Sequence, residues 1–400
     1  MQLLAAQTIV LGGRLVRPGW ILFEDNVFEI GEGNPPARVR DAASTVTTLP
    51  DGVLSPGLVD IQVNGAFGVD FASASEDDWV RVAQQMPSTG VTAFVPTLIT
   101  APVDELAANL KAYRCRRPRL DAALGAARTL GMHLEGPFLA EKRRGAHRAE
   151  LLSDPDPELI NSLLDAAAGA LTYMTLAPER AGALEAIRQL TDAGVRVALG
   201  HCDADAPTVR AAADAGATLV THLYNAQRPM RHRDPGTVGA ALTDPRLTCG
   251  LIVDLHHVSP IAVEIAFRAS AGSIALVSDA VAAMGMPAGT YELGGDRLEV
   301  RPGLPPRRAD GAIAGSALRM DEAIANAVLH CGLDLRSAIN SATQIPAYAV
   351  GRSDLGLLAP GAPADLTWLG EDLMARMTWL GGEIAWSGDR EDASSAVPAC

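Results

Sequence analysis

Between residues 58 and 280 the chain alternates short, almost unbroken apolar runs with longer stretches of helical period. The runs cover 58–64, 91–98, 131–135, 171–176, 195–201, 217–222, 247–254 and 274–279, and the helical patterns between them include 76–86, 103–113, 181–193, 208–215 and 260–271. Three of those patterns close on Gly90, Gly194 and Gly216, the residue type that ends a helix before the next strand. A strand buried on both faces loses its polar alternation. Eight such runs separated by helices therefore predict a parallel (β/α)8 barrel of the TIM type. No G-x-G-x-x-G turn follows the first run, which weighs against an open dinucleotide-binding sheet. Residues 320–342 supply the final helices.

The two ends read differently. Short strand-like pieces at 8–11, 20–23 and 27–30, punctuated by Gly, Pro and Asn, match similar pieces at 364–369 and 383–386. Neither end is large enough for a core of its own. The expectation is an α/β chain in three parts: residues 1–57 plus 355–390 as a small β-sandwich domain formed from both termini, 58–354 as the barrel, and 391–400 as a disordered tail.

Composition narrows the class. The 400 residues are 48% hydrophobic and 20% charged, enough for a large core, and the formal net charge of -14 argues against a nucleic-acid partner. It leaves room for an anionic small molecule held by a few arginines and backbone N–H groups. Five cysteines without C-x-x-C spacing read as free thiols in a reducing compartment. With neither a signal-peptide pattern nor a run of roughly 20 apolar residues, the expectation is a cytoplasmic protein without a membrane partner.

Chemistry gathers where the runs end. Glu135, His201, His222 and Asp279 fall at the ends of the third, fifth, sixth and eighth strands, where barrels of this kind build their sites. Each alone has a structural alternative: a histidine satisfied by backbone carbonyls, Glu135 in the turn before Gly136-Pro137, Asp279 as a helix cap. Together at one end they favour a metal site. One carboxylate and two imidazoles leave a coordination position for water, and Asp279 can carry that water's proton to a leaving group, which is machinery for cleaving an amide or ester. His133, two residues before Glu135, points to the same side one layer deeper and reads as packed barrel interior. A two-metal site would place His-x-His on the first strand and a carbamylated lysine on a later one. Here Gln62 and Asn64 stand on that strand, and the chain's lysines, Lys111 and Lys142, lie in a helix and a charged loop. One cation per subunit is the expectation; zinc or iron(II) suits the mixed ligands, as do other divalent ions.

These motifs resemble the amidohydrolase superfamily and, within it, the N-acetylglucosamine-6-phosphate deacetylase family. The likeness runs through Pro56-Gly57-Leu58-Val59-Asp60, His133-Leu134-Glu135-Gly136-Pro137-Phe138, Gly145-Ala146-His147, Gly200-His201, Thr221-His222-Leu223-Tyr224-Asn225-Ala226, Arg233-Asp234-Pro235-Gly236 and Val277-Ser278-Asp279-Ala280, then Ala364-Asp365-Leu366 near the end. It implies Glu135, His201 and His222 as metal ligands and Asp279 as general base and acid. It further implies that His147 polarises the acetyl carbonyl, and that Asn225, the Ala226 backbone, Arg233 and His257 hold a sugar phosphate. Some phosphate contacts would come from a second subunit, hence a homodimer. The family's Asp-Gly-x-His after the seventh strand is here Asp254-Leu255-His256-His257, so His256 rivals His257. The implied reaction removes acetate from an N-acetylhexosamine 6-phosphate. Its rivals are another barrel amidohydrolase, acting on a different N-acylated amino sugar such as the galactosamine epimer or on a cyclic amide, and a non-catalytic sugar-phosphate-binding regulator on the same scaffold.

Overall fold

The computed structural model describes residues 1–388, and the tail expected over 391–400 lies outside them. Among the described residues, the strands Leu58–Val63, Val91–Ile99, Met132–Glu135, Leu171–Leu176, Arg196–Leu199, Leu219–Val220, Thr248–Leu251 and Ser273–Leu276 pair side by side, all parallel, in chain order. The ring closes just past the last strand. Val63 bridges Ala280, and the Asn64 N–H donates to the Ala280 carbonyl at 2.7 Å. The apolar runs are continuous because both faces are covered: Val59, Val95, Leu134, Met174, Val197 and Leu276 are fully buried.

Local chemistry sets the helices. Ser75 and Asp78 form a reciprocal capping box at the start of Glu76–Gln85, and Asp205 and Ser259 cap Ala206–Ala215 and Pro260–Ala269. The helix expected over 103–113 runs on to Asp121, through Pro118. Its second half, Arg114-Cys115-Arg116-Arg117-Pro118-Arg119, has no apolar stripe to read, and buried Leu120 holds it to the core.

Both termini build two facing sheets. One has the order Val27–Glu32, Gly19–Phe23, Gln2–Ala6, Thr45–Thr48; the other runs Glu383–Ser387, Ala375–Leu380, Leu366–Leu369, Val53–Pro56, Ile9–Leu11, Arg14–Val16. Leu4, Ile21 and Phe23 of the first pack against Ile9, Leu54, Leu366 and Trp379 of the second. A third sheet has no counterpart among the sequence expectations. Gly289–Leu293, Asp296–Val300 and Arg307–Arg308 form an antiparallel insert after the eighth barrel strand. The alternation of Tyr291 and Leu293, then Leu298 and Val300, about the left-handed pair Gly294-Gly295 is the signal that marks it. No helix among the described residues is long and apolar enough to cross a membrane.

Candidate active site

Three strands deliver their last residues to one point. Glu135 ends the third barrel strand, and His201 and His222 stand two residues beyond the fifth and sixth. Glu135 Oε1 lies 3.1 Å from His201 Nε2 and 2.9 Å from His222 Nε2, and the two imidazole nitrogens are 3.1 Å apart. Corners of a tetrahedron with metal bonds of about 2 Å stand ~3.3 Å apart, so the triangle fits one small cation. The His201 ring is oriented for that fit: its Nδ1 lies 2.9 Å from the Arg143 carbonyl, which turns Nε2 toward the triangle's centre.

His147 reaches the same place from the loop after the third strand, and Glu135, His147 and His201 also offer ligand atoms within 4.8 Å of one another. The His147 ring, however, is set as a donor. Its Nδ1 accepts from the Thr100 N–H at 3.3 Å, and the Thr100 hydroxyl is 2.8 Å away. The neutral ring therefore carries its hydrogen on Nε2. Burial, reinforced by the neighbouring imidazoles, pushes its pKa down to about 3 and keeps it neutral.

Asp279 stands three residues past the eighth strand, with two amides on one of its oxygens. Asn64 Nδ2 donates to Oδ1 at 2.7 Å and Gln62 Nε2 at 3.1 Å, while Gln62 Nε2 also lies 3.4 Å from Glu135 Oε2. Burial and then the charge of Glu135 push Asp279 up to about 7. For Glu135 burial works upward, but hydrogen bonds from both histidines outweigh it and hold the carboxyl well below its usual range. Burial opposes a charge on His222, yet the Glu135 hydrogen bond and charge prevail and lift it to about 9.

The backbone is held in sparsely populated conformations here. His201, His222 and Asp279 have φ of 48°, 27° and 49°, and Tyr224 and Ala226 follow at 77° and 50°. Left-handed non-glycine residues cost energy and persist where surrounding bonds fix them. Gln227, which the sequence reading did not single out, supplies such bonds: its amide takes the Tyr224 N–H at 3.1 Å and gives to the Thr221 carbonyl at 2.9 Å. Leu255 also lies at φ 65°, so the loop after the seventh strand takes a glycine-like turn without glycine.

Around this cluster opens a cavity of about 330 Å3, walled by Asn64, Glu135, His147, His201, His222, Asn225, Ala226, His256, His257 and Asp279. Both rival histidines reach it. His257 is the oriented one: its Nδ1 is 2.6 Å from Asp254 Oδ2, and Asp254 Oδ1 also takes the N–H groups of His256 and His257. Leu293 from the insert and Ile313, Ala314 and Gly315 after it, all missed by the sequence reading, add to the wall, as do Ile99, Lys142, Arg143, Gly145, Ala146 and Ile252. Arg233 is not brought to this cavity. It sits exposed on the turn between Arg231 and Asp234, whose backbones bond to each other. His133 is buried one layer below, stacked on Tyr173 with ring centres 3.8 Å apart. Lys142, exposed and paired with Asp203 at 2.6 Å, stands at the cavity's edge.

A carboxylate and imidazoles converging at the strand-end mouth of a parallel barrel, with an aspartate beside them, define a metal-dependent hydrolase. The chain belongs to the amidohydrolase family, whose pattern matches residues 53–385. It is 36% identical over 392 residues to N-acetylglucosamine-6-phosphate deacetylase of Bos taurus, spanning 94% of this chain and 90% of the relative. It is equally 36% identical, over 374 residues, to N-acetylgalactosamine-6-phosphate deacetylase of Escherichia coli O157:H7, spanning 93% and 97%. N-acetyl-D-glucosamine-6-phosphate deacetylase of Mycobacterium smegmatis, solved as a variant in complex with N-acetyl-D-glucosamine-6-phosphate, superposes with a TM-score of 0.89 at 38% identity, covering 96% of this chain and 99% of that one.

Proposed function

We propose that this protein removes acetate from N-acetyl-D-glucosamine 6-phosphate, leaving D-glucosamine 6-phosphate. The observation that carries the reading is the Glu135–His201–His222 triangle beside Asp279, in a cavity of sugar-phosphate size, on a chain 38% identical to an enzyme solved with that sugar phosphate. Glu135, His201 and His222 would hold one divalent cation, zinc or iron(II). The amide N–H groups of Gln62 and Asn64, turned toward the carboxylates, occupy the ground a second ion would need. The bound cation would supply an acidified water and a polarised acyl carbonyl.

The protein's own groups divide the remaining work. With Oδ1 held by two amides, Asp279 uses Oδ2 to take the proton of the attacking water. It returns that proton to the amide nitrogen as the C–N bond breaks, giving the neutral amine and acetic acid, whose remaining proton passes to solvent to leave acetate. His147 donates from Nε2 to the carbonyl oxygen as negative charge develops there. Asn225, the Ala226 N–H and His257 hold the sugar phosphate. Arg233, exposed on its turn, serves the cavity of a second subunit in a homodimer.

The test is acetate release from N-acetylglucosamine 6-phosphate by purified protein with zinc or iron(II), beside the galactosamine epimer and the sugar without phosphate. Turnover on the glucosamine compound should exceed both. Asp279→Asn should keep its metal and lose ~10^2 to 10^4-fold in kcat, the range of a lost acid–base group. Near-normal turnover in that variant would remove Asp279 from its role, and equal turnover without the phosphate would remove the phosphate-binding assignment.

A further inference from the structure

The insert sheet grips the chain on both sides of His147. Arg308, on its last strand, donates from Nη1 to the carbonyl of Ala146, the residue just before. Arg148, the residue just after, reaches Asp296 Oδ1 at 3.0 Å and the Gly294 carbonyl at 3.3 Å. Asp296 joins the two grips, since its other oxygen lies 3.2 Å from Arg308 Nη1. The sheet is itself tied to the barrel: the Gly294 N–H donates to Asp70 Oδ2 at 2.7 Å, and Ala146 packs on its small core. Thr100 fixes only the ring of His147. The backbone that carries the ring is held within its own turn by the His147 N–H, which donates to the Arg144 carbonyl at 3.0 Å, and on both flanks by this Arg148–Asp296–Arg308 cluster.

We propose that Arg308 and Asp296 are positioning residues for the carbonyl-polarising His147, acting through the backbone of Ala146 and Arg148 without touching substrate; this rests on the deacetylase reading. A donor aimed at developing charge works only within a narrow geometry, so loosening its loop should reduce kcat and spare substrate binding.

The experiment is a double-mutant cycle with N-acetylglucosamine 6-phosphate. His147→Ala alone should cost ~10^2 to 10^3-fold in kcat, as for a lost oxyanion donor. Arg308→Ala should cost up to about 10^2-fold in kcat, the scale of a small misplacement, with KM and metal content unchanged. Arg308→Lys, which can still donate to Ala146 and pair with Asp296, should recover part of the loss. Asp296→Asn, which keeps the side chain's shape, guards against misfolding of the larger truncation and should also lower kcat. In the His147→Ala background both substitutions should lose most of their effect. Equal fold-losses in the two backgrounds, or losses confined to KM, would overturn the clamp and leave the function intact. A wild-type protein that releases no acetate would overturn the function itself, and a His147→Ala variant with full turnover would overturn the role of His147.

Discussion

His222 and Asp279 carry opposite kinds of charge, yet Glu135, against burial at His222 and together with burial at Asp279, leaves both holding protons longer than usual, up to about 9 and about 7. A raised folded-state pKa stabilises the fold below the unfolded value and loses that contribution as pH climbs through the folded one. Both contributions therefore fade on going from acid to alkaline conditions. Glu135, held well below its usual range, changes only at more acid pH. Cation binding needs His222 unprotonated, so it releases protons and tightens over the same climb. The expected outcome is that the gap in thermal midpoint between metal-loaded and chelator-treated protein widens from about pH 6 to about pH 9. Thermal scans at several pH values check it; a gap that narrows would contradict the ligand assignment of His222.

At the scale of elements, the barrel was legible because each strand is buried on both faces and so reads as one apolar run. The strand-end position of Glu135, His201, His222 and Asp279 followed from that pattern alone. Two features were not legible. The left-handed turns at His201, His222 and Asp279 leave no mark in residue type, and the Gln227 bonds to Tyr224 and Thr221 that brace the His222 loop follow no period a sequence would show. The insert at 289–308 did leave one, in its Gly-Gly turn and alternating Tyr291, Leu293, Leu298 and Val300, but its period of two lies outside the barrel's alternation of apolar run and helix. Leu298 is fully buried in the insert's core with Leu293, Val281 and Ala314. Leu298→Ala should cost about 2 to 5 kcal/mol, as other buried leucine truncations do. The loss should fall on the insert first, read as faster amide hydrogen exchange across 289–308 while the barrel strands keep their protection. Uniform acceleration over the whole chain would mean that the insert does not open on its own.

For the molecule as a whole, the proposed homodimer makes a prediction that no single subunit can satisfy. If Arg233 serves the neighbouring cavity, a mixed dimer of Arg233→Ala and Asp279→Asn subunits gathers both defects in one cavity. Dissociating and reassociating the two weakened proteins together should then restore activity above either alone, because one cavity in each mixed dimer is intact. No recovery, with mixed dimers demonstrated by mass, would place Arg233 at its own subunit's cavity.

The strand Val53–Pro56 lies between Ile9–Leu11, close by in sequence, and Leu366–Leu369, separated from it by the entire barrel. As the chain leaves the ribosome, this strand keeps an open hydrogen-bonding edge until nearly everything else has been made. The barrel has time to form beside it, whereas the six-stranded sheet must wait for its last members. A truncated product would thus carry a finished catalytic mouth and an unfinished seam of bare backbone, which marks it for aggregation or proteolysis before it can accumulate.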